Sequence, residues 1–325
     1  MIQVSVVIPT YNRAGLLVRC LESLAKQRVS NKEYEVIVVD DGSIDGTQHV
    51  VEGFRKRMHL RYIKHARNRG IPSARNSGIR HARGNYIAFA ADDYELPGNY
   101  VQCIITLFAK HSDVHVIKFN LMCRKNASRY EQLQHRYWEY HILAAYHLAL
   151  QQPELLRIKN TKKQHTHIKP FFSSRIEAGV CAFRKNIFTS VGYFREDLQR
   201  GEDAEFTIRL AHAGYPLFFY PYVHVKRRYS RSLFSSFLLA YRAGRWRYRI
   251  KLHHHRFPLL ITSGLLKTLD RFLNVIVTPL RMAARESLFL PRIYVFLVIL
   301  VIKVGGFLGE VEGLFQYIAR RILRK

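Results

Sequence analysis

The stretch Tyr34-Glu35-Val36-Ile37-Val38-Val39-Asp40-Asp41-Gly42-Ser43 decides the fold of this chain. A short run rich in Val and Ile that stops at two carboxylates and a glycine reads as a buried parallel strand opening onto a loop. Two other stretches repeat the pattern. Val4-Ser5-Val6-Val7-Ile8 runs into Pro9-Thr10-Tyr11-Asn12, and Tyr86-Ile87-Ala88-Phe89-Ala90-Ala91 runs into Asp92-Asp93. Ligands of open α/β sheets bind beyond the carboxyl ends of such strands. Three strands that deliver polar or acidic tips to one edge predict a nucleotide site that works with a metal ion.

Between these strands the apolar spacing turns helical. Leu16, Leu17, Cys20, Leu21 and Leu24 mark one helix, and Thr47–Arg57 a second with Asp45 as its cap. A short strand follows at Leu60–Ile63. Ser73–Arg83 predicts a helix feeding strand 86–91, and Pro97–His111 one more. This βαβ rhythm over residues 1–120 predicts a doubly wound sheet. Residues 124–170 break it, with one helix expected at Tyr130–Leu150 and a basic stretch from Arg157 to Lys169. Such an insertion either shapes a second-substrate site or is a solvated excursion.

The 325 residues suffice for one large or two ordinary domains. The four cysteines (Cys20, Cys103, Cys123 and Cys181) form no C-x-x-C pair. Neither a disulfide framework nor a zinc site is expected, and a reducing cytosolic setting is the default. The chain opens directly on a strand pattern, so no secretory signal is expected. The formal net charge of +28 calls for an anionic partner. From Lys226 to Arg256 there are ten Lys or Arg and no acidic residue, interleaved with Leu, Phe, Tyr and Trp. That pattern suits a helix lying on anionic lipid. It would also suit RNA, but no nucleic-acid module is recognisable, so a membrane surface is the expected partner and nucleic acid is not. Phe257–Val277, punctuated by Lys267, Asp270 and Arg271, reads as an amphipathic interfacial helix. Ile293–Leu308 is interrupted only by Lys303 but is short against the about 20 residues of a spanning helix. Monotopic or re-entrant insertion is the expectation, with a single span or a soluble core helix as alternatives.

The motifs now add up. Residues 4–12, Val39-Asp40-Asp41-Gly42-Ser43, Asn68 with Ala74-Arg75-Asn76-Ser77-Gly78, and Gly84-Asn85-Tyr86-Ile87 leading to Asp92-Asp93 resemble the family-2 glycosyltransferases of GT-A fold. The likeness continues through Glu177-Ala178-Gly179, Phe183-Arg184 and Val191-Gly192-Tyr193-Phe194 to Gly201-Glu202-Asp203, covering roughly residues 2–225. Seven motifs in the family's order carry more weight than any one of them. The resemblance implies a Rossmann-like, mixed but mostly parallel sheet flanked by helices. It implies an inverting transfer of a sugar from a nucleotide-diphosphate donor, a UDP-sugar first, with manganese or magnesium.

By the resemblance, Pro9, Thr10, Tyr11, Asn12, Asp40, Asp41, Asn68, Arg75, Asp92 and Glu202 belong to the nucleotide-sugar site. Arg75 faces the nucleotide; its alternative is a surface ion pair. Departure of a diphosphate calls for a divalent cation on hard oxygen ligands. Many relatives carry a further acid two positions before the Asp pair, where this chain has Ala90. The chain resembles the shorter variant instead, with Asp93 on the metal and Asp92 on the ribose. His224 stands where relatives place a metal-ligating or diphosphate-contacting His, though a lone strand His is commonly structural. Asp203 is the candidate base for the acceptor hydroxyl; Glu202 and Asp203 as mere helix caps are the alternative. His253-His254-His255 points in three directions on a helix and is not read as a metal site. Arg242-Ala243-Gly244-Arg245-Trp246 resembles the Q-x-x-R-W signature of processive synthases, but Arg242 replaces the Gln. Single addition is therefore favoured over processive synthesis. A nucleotidyltransferase is disfavoured because residues 9–15 lack its Gly-rich basic loop. A non-catalytic basic protein would leave the ordered acidic motifs unexplained. The domain reading is 1–225 for transfer (1–120 nucleotide-binding, 121–225 acceptor and catalytic) and 226–325 for membrane association. Together these place the protein at the cytoplasmic face of a membrane, acting on a lipid-linked or envelope glycan.

Overall fold

The computed structural model describes residues 1–150, 171–173, 178–198, 201–229, 232–254, 275, 277–280, 282–284 and 289–322. The basic stretch 157–169, Glu177, His255 and most of the 257–277 segment lie outside them. The first strands and helices follow the apolar patterning: β1 (Val4–Thr10), α1 (Ala14–Leu24), β2 (Tyr34–Asp40), α2 (Thr47–Phe54), β3 (Leu60–Lys64), α3 (Ile71–His81) and β4 (Tyr86–Phe89). β5 (Tyr94–Glu95), α4 (Tyr100–Lys110), β6 (Val116–Cys123), α5 (Arg129–Leu150), β7 (Phe171–Ser173) and β8 (Cys181–Arg184) follow. The chain continues through α6 (Ile187–Ser190), α7 (Glu202–His212), β9 (Leu217–Arg227), α8 (Leu233–His254) and α9 (Phe289–Ile322).

The strands form one sheet ordered β3-β2-β1-β4-β8-β6-β9-β5, with β7 also pairing β9. β1 pairs in parallel with β2 and β4, and β2 with β3. β8 is antiparallel to both β4 and β6, which returns β6 to the direction of β4, and β9 runs parallel to β6. Among the described residues, six of the nine strands thus point the same way. Every residue of β2 is buried, as a central strand covered on both faces requires. Two expected boundaries move inward. β4 ends at Phe89 rather than 91, and α4 starts at Tyr100 rather than Pro97, because residues 92–98 turn to place β5 on β9.

Two compact units emerge, Met1–Lys125 with Tyr140–Arg228, and Asn126–Glu139 with Tyr229–Lys325. The core of the first lies between the sheet and α3, α6 and α7. There Val7, Ile37, Phe89, Phe183, Phe188, Phe194, Phe206 and Leu210 are buried together. Gly78 permits close packing of α3 on β1, since a Cβ there would overlap the Val7 side chain. In the second unit α8 and α9 pack at backbone distance: a Cβ on Gly305 would sit 2.8 Å from the Phe237 carbonyl oxygen. The expected segment 293–308 lies inside the 34-residue α9. Among the described residues no helix is long and apolar enough to cross a membrane.

Candidate functional site

The strand order brings the tips of β1, β2 and β4 to one edge, and the acidic pair lies there. Thr10 ends β1 and donates its hydroxyl to Asp92 Oδ2 at 2.9 Å. Asp92 is 3 % exposed. Its carboxyl is pushed up to about 6, chiefly by burial; the Arg13 guanidinium works against this and the Asp93 charge adds to it. Arg13 reaches both carboxylates, 2.7 Å to Asp92 and 3.2 Å to Asp93. Sequence reasoning stopped at Asn12 and missed it. A cation directly after the strand-end motif marked the position, but its pairing with the acids, 80 residues on at Asp93, had no local signal.

Asp40 and Asp41, expected in the nucleotide-sugar site, are buried and hydrogen-bonded within the protein. Asp40 accepts the Ser43 N–H at 2.7 Å and the Tyr62 hydroxyl. Asp41 accepts the backbone N–H groups of Arg69 and Gly70 at 3.0 and 2.7 Å, and meets His65 Nδ1 at 2.7 Å. His65 Nε2 continues to the Ser77 hydroxyl at 2.9 Å. The second aspartate therefore fixes the loop that leads into α3. Gly42, at φ +85°, lies so near the Arg67–Asn68 backbone that a Cβ would come within 2.7 Å. That contact brings the 41–43 loop against Asn68, which is itself exposed. Asn12, at φ +51°, receives the Ile44 N–H on its side chain and gives its own N–H to the Ser43 hydroxyl. Pro9 is half-buried and Tyr11 exposed at the same edge. Tyr62 and His65 escaped the sequence reading because their partners, Asp40, Asp41 and Ser77, lie on other elements and no local spacing connects them.

Arg75 and Glu202 form a buried ion pair with each other. The guanidinium carbon stands 5.4 Å from the Phe194 ring centre and 5.8 Å from that of Phe89. Both residues were expected on the nucleotide, and the alternative for Arg75 was a surface pair. In the structure they join α3 to α7 inside the aromatic layer. Gly201, at φ +83°, starts α7 and puts Glu202, Asp203 and Glu205 in its first turn. Asp203 is half-buried, and its Oδ1 accepts the Ala204 N–H at 2.8 Å. Glu205 instead grips Arg209 one turn on, at 2.9 Å.

His224 lies on β9, on the wall of a cavity of about 440 Å³ with Arg19, Glu22, Lys26, Glu95 and Lys226 among its lining. Asp92 and Asp93 are not part of that lining. Nε2 of His224 is buried without a hydrogen-bond partner, and burial lowers the ring's basicity. Among the described residues no group of three or more His, Cys, Asp and Glu gathers as a metal site. His224 is thus not brought into a three-ligand cluster with the Asp pair.

The family described as Glycosyl transferase family 2 matches residues 5–188, more than half of the chain. A validoxylamine A glucosyltransferase of Streptomyces hygroscopicus subsp. jinggangensis is 51 % identical over 59 residues, 18 % of this chain and 14 % of that protein. The poly(ribitol-phosphate) β-N-acetylglucosaminyltransferase TarS of Staphylococcus aureus is 37 % identical over 120 residues, 36 % of this chain and 21 % of TarS. These matches thus span about a fifth or less of the curated relatives' lengths. In fold, the chain is similar to a TarS fragment solved with UDP-GlcNAc, with a TM-score of 0.52 at 18 % identity, covering 97 % of this chain and 92 % of that one. It is also similar to the mannosyltransferase PcManGT of Pyrobaculum calidifontis, solved with GDP-Man and Mn2+. There the TM-score is 0.63 at 18 % identity, covering 97 % and 87 %.

Proposed function

Because this chain belongs to glycosyl transferase family 2, we propose that it transfers a sugar, with inversion, from a nucleotide-diphosphate donor to an acceptor hydroxyl. One observation carries the reading: Thr10, Arg13, Asp92 and Asp93 meet at the exits of β1 and β4, where α/β sheets bind nucleotides. UDP-GlcNAc and GDP-Man in the structural neighbours support a nucleotide sugar, with a UDP-sugar as the first donor to test.

The residues fit a divalent cation. Asp92 and Asp93 offer hard oxygens side by side, and a guanidinium already holds them as a positive charge would. Asp93, the more exposed of the two, would hold manganese or magnesium, with Asp92 supporting it or turned to the ribose. The cation would neutralise charge on the departing diphosphate. The protein's own part is positioning and proton transfer. Asp41 fixes the 65–70 loop, and Gly42 lets it approach. The Arg75–Glu202 pair anchors the first turn of α7, and Asp203 at that turn takes the proton of the acceptor hydroxyl. Single addition is favoured over processive synthesis.

The acceptor is proposed to be a lipid-linked or envelope glycan, reached at the cytoplasmic face of a membrane. The basic, acid-free 226–256 segment supports this, as do the exposed Phe234 and Leu239 of α8. The test is a panel of nucleotide sugars assayed by thermal shift with and without Mn2+, followed by transfer with the donor that binds. Asp93→Ala is expected to abolish transfer and metal-dependent nucleotide binding with the fold intact. Full activity of that variant, or activity undiminished in excess chelator, would overturn the metal assignment.

A further inference from the structure

Arg13, beside the acidic pair at the exits of β1 and β4, is a charged group to which the transfer itself gives no role. Its backbone is pinned. Asn12 before it bonds Ser43 and Ile44, and the Ala14 N–H after it is held by Asp45 at 3.0 Å. Its side chain is not pinned in the same way: it is 43 % exposed and spans two carboxylates that are themselves largely covered. The planar fork of an arginine suits this bridging; a lysine ammonium would meet the two acids only as a point charge. Two adjacent carboxylates at one strand exit repel each other, so a counter-charge is needed whenever no metal is bound. A half-exposed arginine on a fixed backbone can supply it and withdraw without disturbing the core. Once withdrawn it remains at the N-terminus of α1, where positive potential already favours phosphate.

We propose that Arg13 is an exchangeable counter-ion: it holds Asp92 and Asp93 until a divalent cation takes them, then pairs with the donor's diphosphate. This rests on the glycosyltransferase reading above. It has an unusual signature, because removing the guanidinium moves two affinities in opposite directions. The cation loses a competitor, and the nucleotide loses a partner.

The experiment uses the full chain, as wild type, Arg13→Gln and Arg13→Lys, with folding checked by thermal melting. Mn2+ alone is titrated by electron paramagnetic resonance. UDP and GDP are then titrated by calorimetry in saturating Mn2+. Arg13→Gln is expected to bind Mn2+ about fivefold more tightly than wild type and the nucleotide about fivefold more weakly, the size of one partly exposed ion pair. Arg13→Lys is expected to fall between. Unchanged or weaker Mn2+ binding in Arg13→Gln overturns the proposal, as does unchanged nucleotide affinity. A wild type that binds neither UDP nor GDP, nor any nucleotide sugar of the panel, overturns the glycosyltransferase reading itself and the diphosphate half with it.

Discussion

Asp203 is the proposed base. Asp203→Asn keeps its shape and its bond to the Ala204 N–H but cannot accept a proton at neutral pH. Donor affinity by calorimetry is expected to hold while turnover falls on the order of 10²-fold or more. Collapse of donor binding instead would make the residue part of the nucleotide site. The Arg75–Glu202 pair predicts something different, a stability effect. Arg75→Met leaves a buried carboxylate without its cation and is expected to cost about 3 kcal/mol or more in chemical denaturation. Arg75→Met combined with Glu202→Met is expected to recover much of that loss, because the uncompensated charge is gone. Arg75 could be picked out from the sequence as functional. Glu202 could be picked out too, but their pairing could not, since 127 residues separate them.

At the level of elements, Asp45 ties two helices together. Its Oδ2 accepts the Ala14 N–H that opens α1, and its Oδ1 accepts the Thr47 N–H at 3.1 Å where α2 begins. Desolvation tends to raise the pKa of this carboxyl, but the bonds from Ala14 and Thr47 outweigh it and lower the net value. A depressed folded-state pKa means stability that is present above the ordinary aspartate range and lost as pH falls through the folded value. Asp45→Asn is expected to remove about 1 kcal/mol at pH 7 and to flatten the acid limb of the stability profile, measured by urea denaturation between pH 7 and pH 3. The expectation of Asp45 as the cap is corrected: Gly46 holds the N-cap position of α2 without a side-chain cap bond, and Asp45, one residue earlier, closes a turn onto the Thr47 N–H, while its bond to α1 lay beyond what local spacing reveals. Gly42→Ala is a second test at this scale. A side chain at φ +85° would press on the Arg67–Asn68 backbone, and a loss exceeding 1 kcal/mol is expected from strain and overlap together.

Across the whole molecule the charge is the dominant property. With +28 overall and ten cations in the 226–256 segment, binding to anionic vesicles is expected to weaken steeply as salt rises. Each basic side chain near the surface contributes about 1 kcal/mol, so converting Arg242, Arg245, Arg247 and Arg249 to Gln is expected to release the protein in co-sedimentation. Vesicle binding indifferent to salt and to those four changes would rule charge out as the docking force.

The sequence by itself determined the alternating architecture of residues 1–120, because burial on both faces leaves a continuous apolar run and a polar tip as a local signature. Thr10, Asp92 and Asp93 were legible for the same reason: each stands where such a run stops. Composition alone likewise identified the basic segment. Tertiary structure decided the rest. Insertion of antiparallel β8 between β4 and β6 depends on pairing across long separations that no local period encodes. The same is true of Arg13 on the acidic pair, of Asp41 on the 65–70 loop, and of Arg75 with Glu202. An ionic or hydrogen-bonding partner is chosen by proximity in the folded chain, and proximity exists only once the sheet order has been set.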